Sequence, residues 1–153
     1  MSLKTDIIFV KALQSNAELM AKLAQHDVYN TDITVPDVDF DNAPLPYVIV
    51  TFEGLNNEDS TKDSYEGCTD SVQIGIEVAA KTRAELADIC IAIRKTIREF
   101  FENISQEDED YNLVPLDYTF SATPVRWYEK PAFGQMLNYK CDCNPDVEEQ
   151  SES

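Results

Sequence analysis

The chain has 153 residues, and its twelve Lys and Arg stand against twenty-nine Asp and Glu for a net charge of −17. Affinity for nucleic acid rests on cationic side chains releasing counterions from phosphates, so this balance argues against a nucleic-acid binder and equally against an anionic membrane surface. The length suits one domain with its own core and no need of a disulfide or metal staple, and no run of about 18 apolar residues offers a membrane span.

The opening MSLKTDIIFV lacks the basic leader and cleavage site of a signal peptide, which predicts a cytoplasmic protein. LKTDIIFVKALQ is helical by residue type. SNAELMAKLA then offers a fresh helix start, because Ser15 with Glu18 three residues on has the spacing of a capping box. Two short helices, or one broken near Ser15–Asn16, are predicted. HDVYNTDITVPDVDFDNAPLP carries three prolines and many Asp and Asn, and reads as a loop with a short strand around Asp32–Val35.

Pro46 opens PYVIVTF, a nearly continuous run of β-formers that predicts a central strand. The polar stretch EGLNNEDSTKDSYEG, fifteen residues, is expected to be a long loop, mobile over Leu55–Gly67 until a partner orders it. From Thr69 the rhythm changes twice. Val72, Ile74, Ile76 and Val78 alternate with a period of two, the mark of a strand with one buried face. After Thr82, the residues Leu86, Ile89, Cys90, Ile93, Ile97, Phe100 and Phe101 recur every three or four, the mark of an amphipathic helix. Thr82 and Glu85 form a second capping box, so the strand passes sharply into a helix that should end near Asn103, before the acidic loop SQEDEDYN.

DYTFSATPVRWYE and FGQMLNYKCDC predict a hairpin turning near Lys130–Pro131. Its Tyr118, Phe120, Trp127, Tyr128 and Tyr139 suit either a partner or a further patch of core. The order of elements gives an α+β class: a mostly antiparallel sheet of about five strands with two helices packed on one face. Residues 1–143 are expected to form this single α+β domain, and residues 144–153 an acidic disordered tail.

The parts of a catalytic site are sparse. The single His26 lies in a predicted loop, no nucleophile elbow accompanies it, and four glycines build no phosphate-binding loop. Cys141 and Cys143 form one C-x-C pair where a zinc site wants two, and in an extended strand they share a face with Leu137 and Tyr139. Asp59, Asp63 and Glu66 are acidic enough for calcium but lack the spacing of a calcium loop. The reading is therefore a binding or structural module rather than an enzyme, with no cofactor and no metal.

The succession PYVIVTFEG, polar loop, TDSVQIGIEVAAKTRAEL and IRKTIREFF helix resembles the tail-terminator or tail-completion proteins of long-tailed bacteriophages and prophages. The most specific pieces are Pro46–Tyr47 opening a strand and the D-x-V-x-I-x-I-E strand from Asp70 to Glu77 feeding a helix. The resemblance runs from about Thr5 to Cys143 and implies a non-enzymatic structural protein of the virion. Such proteins form a ring, typically of six copies, that caps the tail tube and supports head-tail joining.

The implied partners are other copies of the chain, the tail-tube protein and head-tail connector proteins, with no nucleic acid and no membrane. The implied location is the host cytoplasm during assembly and then the virion tail. Ring contacts are expected on exposed sheet edges, on Trp127 and Tyr128 of the hairpin, and on Asn56, Asn57, Glu58, Asp59, Lys62, Asp63 and Tyr65 of the polar loop. The chain departs from the family's outline in its acidity and in the extended loop from Ile104 to Leu116. A rival reading is an acidic antagonist that mimics DNA toward a host nucleic-acid-binding protein.

Overall fold

Helix α1 (Thr5–Gln14) buries Ile8, Phe9, Ala12 and Leu13 along one stripe, as their spacing of three and four residues requires. In this computed structural model, which describes residues 2–30, 42–58, 69–125 and 131–144, a short 3-10 turn at Ser2–Lys4 leads into α1. Helix α2 (Ala17–Lys22) follows after a break at the expected place, but Ser15 is not its cap. Ser15 keeps helical angles, ends α1, and donates its hydroxyl to the Ala12 carbonyl at 2.6 Å. Asn16 takes the extended conformation that an N-cap needs, and its Oδ1 accepts the Leu19 N–H at 3.1 Å. The residue that leaves the helix first is the one free to cap the next.

Strand β1 (Tyr29–Asn30) lies parallel to β2 (Tyr47–Glu58), pairing with Ile49 and Val50. The strand predicted at Asp32–Val35 lies outside the described residues. β2 runs antiparallel to β3 (Thr69–Ala80), β3 to β5 (Phe133–Cys143), and β5 to β4 (Asp117–Val125). The sheet order is β1-β2-β3-β5-β4, a five-stranded and mostly antiparallel sheet in an α+β chain.

The polar stretch after Phe52 corrects the reading of a loop from Glu53. β2 continues to Glu58, with Leu55, Asn56, Asn57 and Glu58 opposite Val72, Ser71, Asp70 and Thr69. The ladder with β3 satisfies this backbone, so the residues need no β-propensity of their own. A bulge between Phe52 and Gly54 sets Glu53 outside the register and brings Leu55 onto the face that Phe52 occupied.

Helix α3 (Arg83–Asn103) begins where the second capping box places it and ends at the expected residue. Thr82 Oγ1 accepts the Glu85 N–H at 3.1 Å. The return bond reaches one residue further back than expected, from the Lys81 N–H to Glu85 Oε1 at 3.2 Å. Val48 and Val50 of β2, Val72 to Val78 in alternation on β3, and Leu137, Tyr139, Cys141 and Cys143 of β5 share one hydrophobic cluster with α1, α2 and α3. Leu86, Ile89, Ile93 and Ile97 are the contribution of α3. Tyr47, Ile49 and Ala79, which point the other way along their strands, form a separate small cluster with Tyr29 and Leu45.

Candidate functional site

The far end of β2 carries three of the expected contact residues. Asn56 and Asn57 are exposed, and alternation sends them to opposite faces. Asn57 donates to Asp70 Oδ1 at 2.7 Å across the strand pair, which gives this buried carboxylate a partner. Asp70 in turn lies opposite Cys143, whose sulfur is 3.8 Å from the Thr5 hydroxyl. Asn57 thus closes a polar row at one end of the core. Glu58 is the last residue of β2, opposite Thr69. Asp59, Lys62, Asp63, Tyr65, Trp127 and Tyr128 lie outside the described residues.

The aromatic residues of the hairpin that are described turn mostly inward. Tyr139 is 2% exposed, and its ring lies 5.1 Å from both Phe9 and Phe120 and 5.5 Å from Tyr118. Phe101 meets Phe9 and Tyr118 edge-on. Burial holds the phenols of Tyr118 and Tyr139 above their ordinary range. At the rim of this cluster the Arg94 guanidinium sits 4.3 Å from the centre of the Phe120 ring, a cation–π contact that ties α3 to β4.

Beyond that contact the flank is uncovered. Ile91, one turn before Arg94, is 66% exposed, and Ala122 and Pro124, on the same face of β4 as Phe120, are exposed too. Among the described residues no strand pairs with the outer edge of β4, nor with the outer edge of β2 beyond Val50. Neither the Arg94–Phe120 contact nor Ile91's exposure is readable from sequence, because both depend on how α3 crosses the sheet.

Of the described thiols, Cys141 and Cys143 are buried and Cys90 is half-buried. Burial pushes Cys90 up to about 11 and raises Cys141 and Cys143 as well, so all three stay protonated at neutral pH. Among the described residues no group of three His, Cys, Asp or Glu side chains converges as a metal site would require. His26 is exposed in a turn at a φ of 57°.

An open groove of about 820 Å³ runs between the α1–α2 break, the end of α3 and the loop after it. Its acidic residues are Glu18, Glu99, Asp108, Glu109 and Asp110, and among the described residues no Lys or Arg lines it. Lys11 holds the loop against α1 through both oxygens of Asp110, at 2.9 and 3.0 Å. Asn16 Nδ2 donates to the Thr96 hydroxyl at 2.9 Å across the same groove. The run of acids from Glu107 was visible in sequence; its meeting with Glu18 and Glu99 was not.

Comparison of the chain with the sequence models of known protein families and with curated protein sequences gives no match in either case.

Proposed function

We propose that the chain is a structural protein of the phage tail-terminator type, which assembles as a ring on the end of a tail tube and presents a surface for head-tail joining. The observation that carries this reading is the order of elements. A strand opened by Pro46 pairs antiparallel with the Asp70–Glu77 strand, that strand enters a long helix through one capping turn, and a hairpin completes the sheet. This is the succession on which the sequence resemblance rests. The two sheet edges that are open among the described residues fit a protein whose work is contact with its own copies.

Ring assembly at −17 per copy works against long-range repulsion. The Debye length falls from about 10 Å at 0.1 M salt to about 3 Å at 1 M, whereas apolar contacts keep their strength. The protein is expected to be mostly monomeric at low salt and to form rings at high salt or on tube ends. Light scattering across a salt series, and electron microscopy with purified tail tubes, read this directly. A chain that stays monomeric throughout and leaves tube ends bare overturns the proposal.

The acidic groove favours a second reading, an antagonist of a basic host protein, because five acidic residues line one opening, with Asp110 among them paired to Lys11. Salt separates the two. Binding of a basic partner through that groove weakens as salt rises, while ring formation strengthens.

A further inference from the structure

We propose that the outer edge of β4, with the stripe of α3 beside it, receives an extended acidic segment of a partner protein, which joins the sheet as a further strand. The inference is independent of the ring reading and names a partner by its chemistry.

The backbone of β4 fixes which groups such a segment meets. Pro124 stands opposite Gln135 with no N–H to give, so its nitrogen faces away from β5. Along an antiparallel strand the N–H and C=O groups turn to alternate edges, so Ala122, Phe120 and Tyr118 present theirs to the same outer edge. Tyr118 agrees, because its N–H donates to the Asp117 carboxylate at 2.8 Å. Asp117 thus closes one end of the edge and Pro124 the other. Between them the N–H groups of Phe120 and Ala122 have no strand beside them among the described residues. An unpaired edge of this kind is where main-chain bonds attach an added strand.

The side chains give the chemistry. An added strand sets every second residue on the helix-facing side, level with Ala122, Phe120 and Tyr118 in turn. Beside these runs a stripe of α3, since Ile91, Arg94 and Arg98 follow one another at spacings of three and four. Arg94 sits 4.3 Å from the centre of the Phe120 ring, and the charge of Arg98 bears on the Tyr118 phenol. The stripe therefore follows β4, with Arg98 toward Tyr118, Arg94 on Phe120 and Ile91 onward toward Ala122. Ile91 is 66% exposed, and Ala122 is exposed as well.

Charge selects the occupant. The chain carries −17, yet neither guanidinium forms an ion pair or a hydrogen bond with any described residue. Glu102 bears on Tyr118 from the next turn of α3, and Asp117 is engaged with the backbone beside it. Two exposed arginines, unpaired among the described residues of so acidic a protein, suit carboxylates brought by another molecule. The complementary segment carries an apolar residue, an acid and a second acid at alternate positions, to meet Ile91, Arg94 and Arg98.

The probe is a fluorescent peptide in which leucine, glutamate and glutamate alternate with threonine. Anisotropy with the full chain measures its affinity, and hydrogen exchange reads the β4 amides. The peptide is expected to bind, to release as salt rises, and to slow exchange at Phe120 and Ala122. Arg98→Glu is expected to weaken binding about tenfold or more. Ala122→Pro is expected to do the same with both arginines in place, because it removes one outward N–H and leaves the β5 ladder whole. Circular dichroism checks that each variant is folded. A lysine-for-glutamate peptide, and an acidic peptide methylated at alternate backbone nitrogens, test the same two contacts with the protein unaltered. Each is expected to bind about tenfold more weakly.

No binding of the acidic peptide up to about 1 mM, or equal binding of the lysine or methylated peptide, overturns the proposal. Displacement of the peptide by an equal concentration of oligothymidylate also overturns it, marking a general anion site. So does protection of Phe120 and Ala122 without peptide in a species heavier than one chain, which makes a second copy the occupant. Ring formation on tail tubes is read separately by electron microscopy, so either reading can fail without the other.

Discussion

The Glu53 carboxylate lies directly over Gly75, in the space where any other residue at 75 would place its Cβ. Glu53 is the bulged residue of β2, and Gly75 belongs to the neighbouring strand opposite Thr51. The bulge delivers the long side chain back across the face of the sheet opposite the main hydrophobic cluster. Gly75 does not have a positive φ, so alanine fits its backbone, and the group in the way is the free end of an exposed side chain. Gly75→Ala is expected to swing the carboxylate into solvent, with Met136 Sδ, 3.3 Å from the new methyl, giving slightly. Stability should change by less than about 1 kcal/mol, since fewer unfolded conformations offset the displacement. A melting temperature lower by more than about 4 °C would mean that the carboxylate is held in place.

Ile76 is fully buried between Val50 and Leu137, in the same cluster as Leu86, Ile93 and Ile97 of α3. Ile76→Asp is expected to unfold the protein. A carboxylate without a partner in this core costs several kcal/mol against a total of about 5–15. Circular dichroism checks it: a folded variant with an unchanged melting temperature would contradict the assigned face of β3.

The cap of α2 separates two adjacent residues. Asn16→Ala removes the bond that accepts the Leu19 N–H and the link to Thr96, and should cost about 1–2 kcal/mol. Ser15→Ala removes only a hydroxyl donated to the end of α1, and should change stability by no more than about 0.5 kcal/mol. Urea unfolding of the two variants should rank them in this order; the reverse order would return the cap to Ser15.

Alkaline pH should destabilise the fold through its buried thiols and phenols. Cys90 ordinarily ionises near 9.0 and is pushed up to about 11, and Cys141, Cys143 and Tyr139 are raised by the same cause, burial. Above pH 9 the unfolded chain releases these protons while the folded chain still holds them. The unfolded state then binds fewer protons, so stability falls as pH rises. Their contribution is complete below pH 9 and declines from there through 11 and above. Urea midpoints at pH 8, 9.5 and 10.5 should decrease in turn, and less steeply in Cys141→Ala. A midpoint constant to pH 11 would show that these groups ionise alike in both states.

Local chemistry determined by itself the strand from Thr69 to Ala80, the helix from Arg83 to Asn103 and the turn between them. A burial period of two, a period of 3.6 and a Thr–Glu pair at capping distance each depend on neighbours within a few residues, so they are legible along the chain. The cap at Asn16 and the last residues of β2 were not. Ser15 and Asn16 are equally good capping residues, and only the path of the chain out of α1 chooses between them. Asn56, Asn57 and Glu58 are polar enough for a loop and become strand because β3 lies alongside to take their backbone bonds. Tertiary structure alone placed Arg94 on Phe120, gathered Glu18, Glu99 and Asp108–Asp110 around one groove, and set β4 at one edge of the sheet and β1 beside β2 at the other. The residues that meet in these features are far apart in sequence, and their meeting is set by sheet order and helix crossing, which no local pattern encodes.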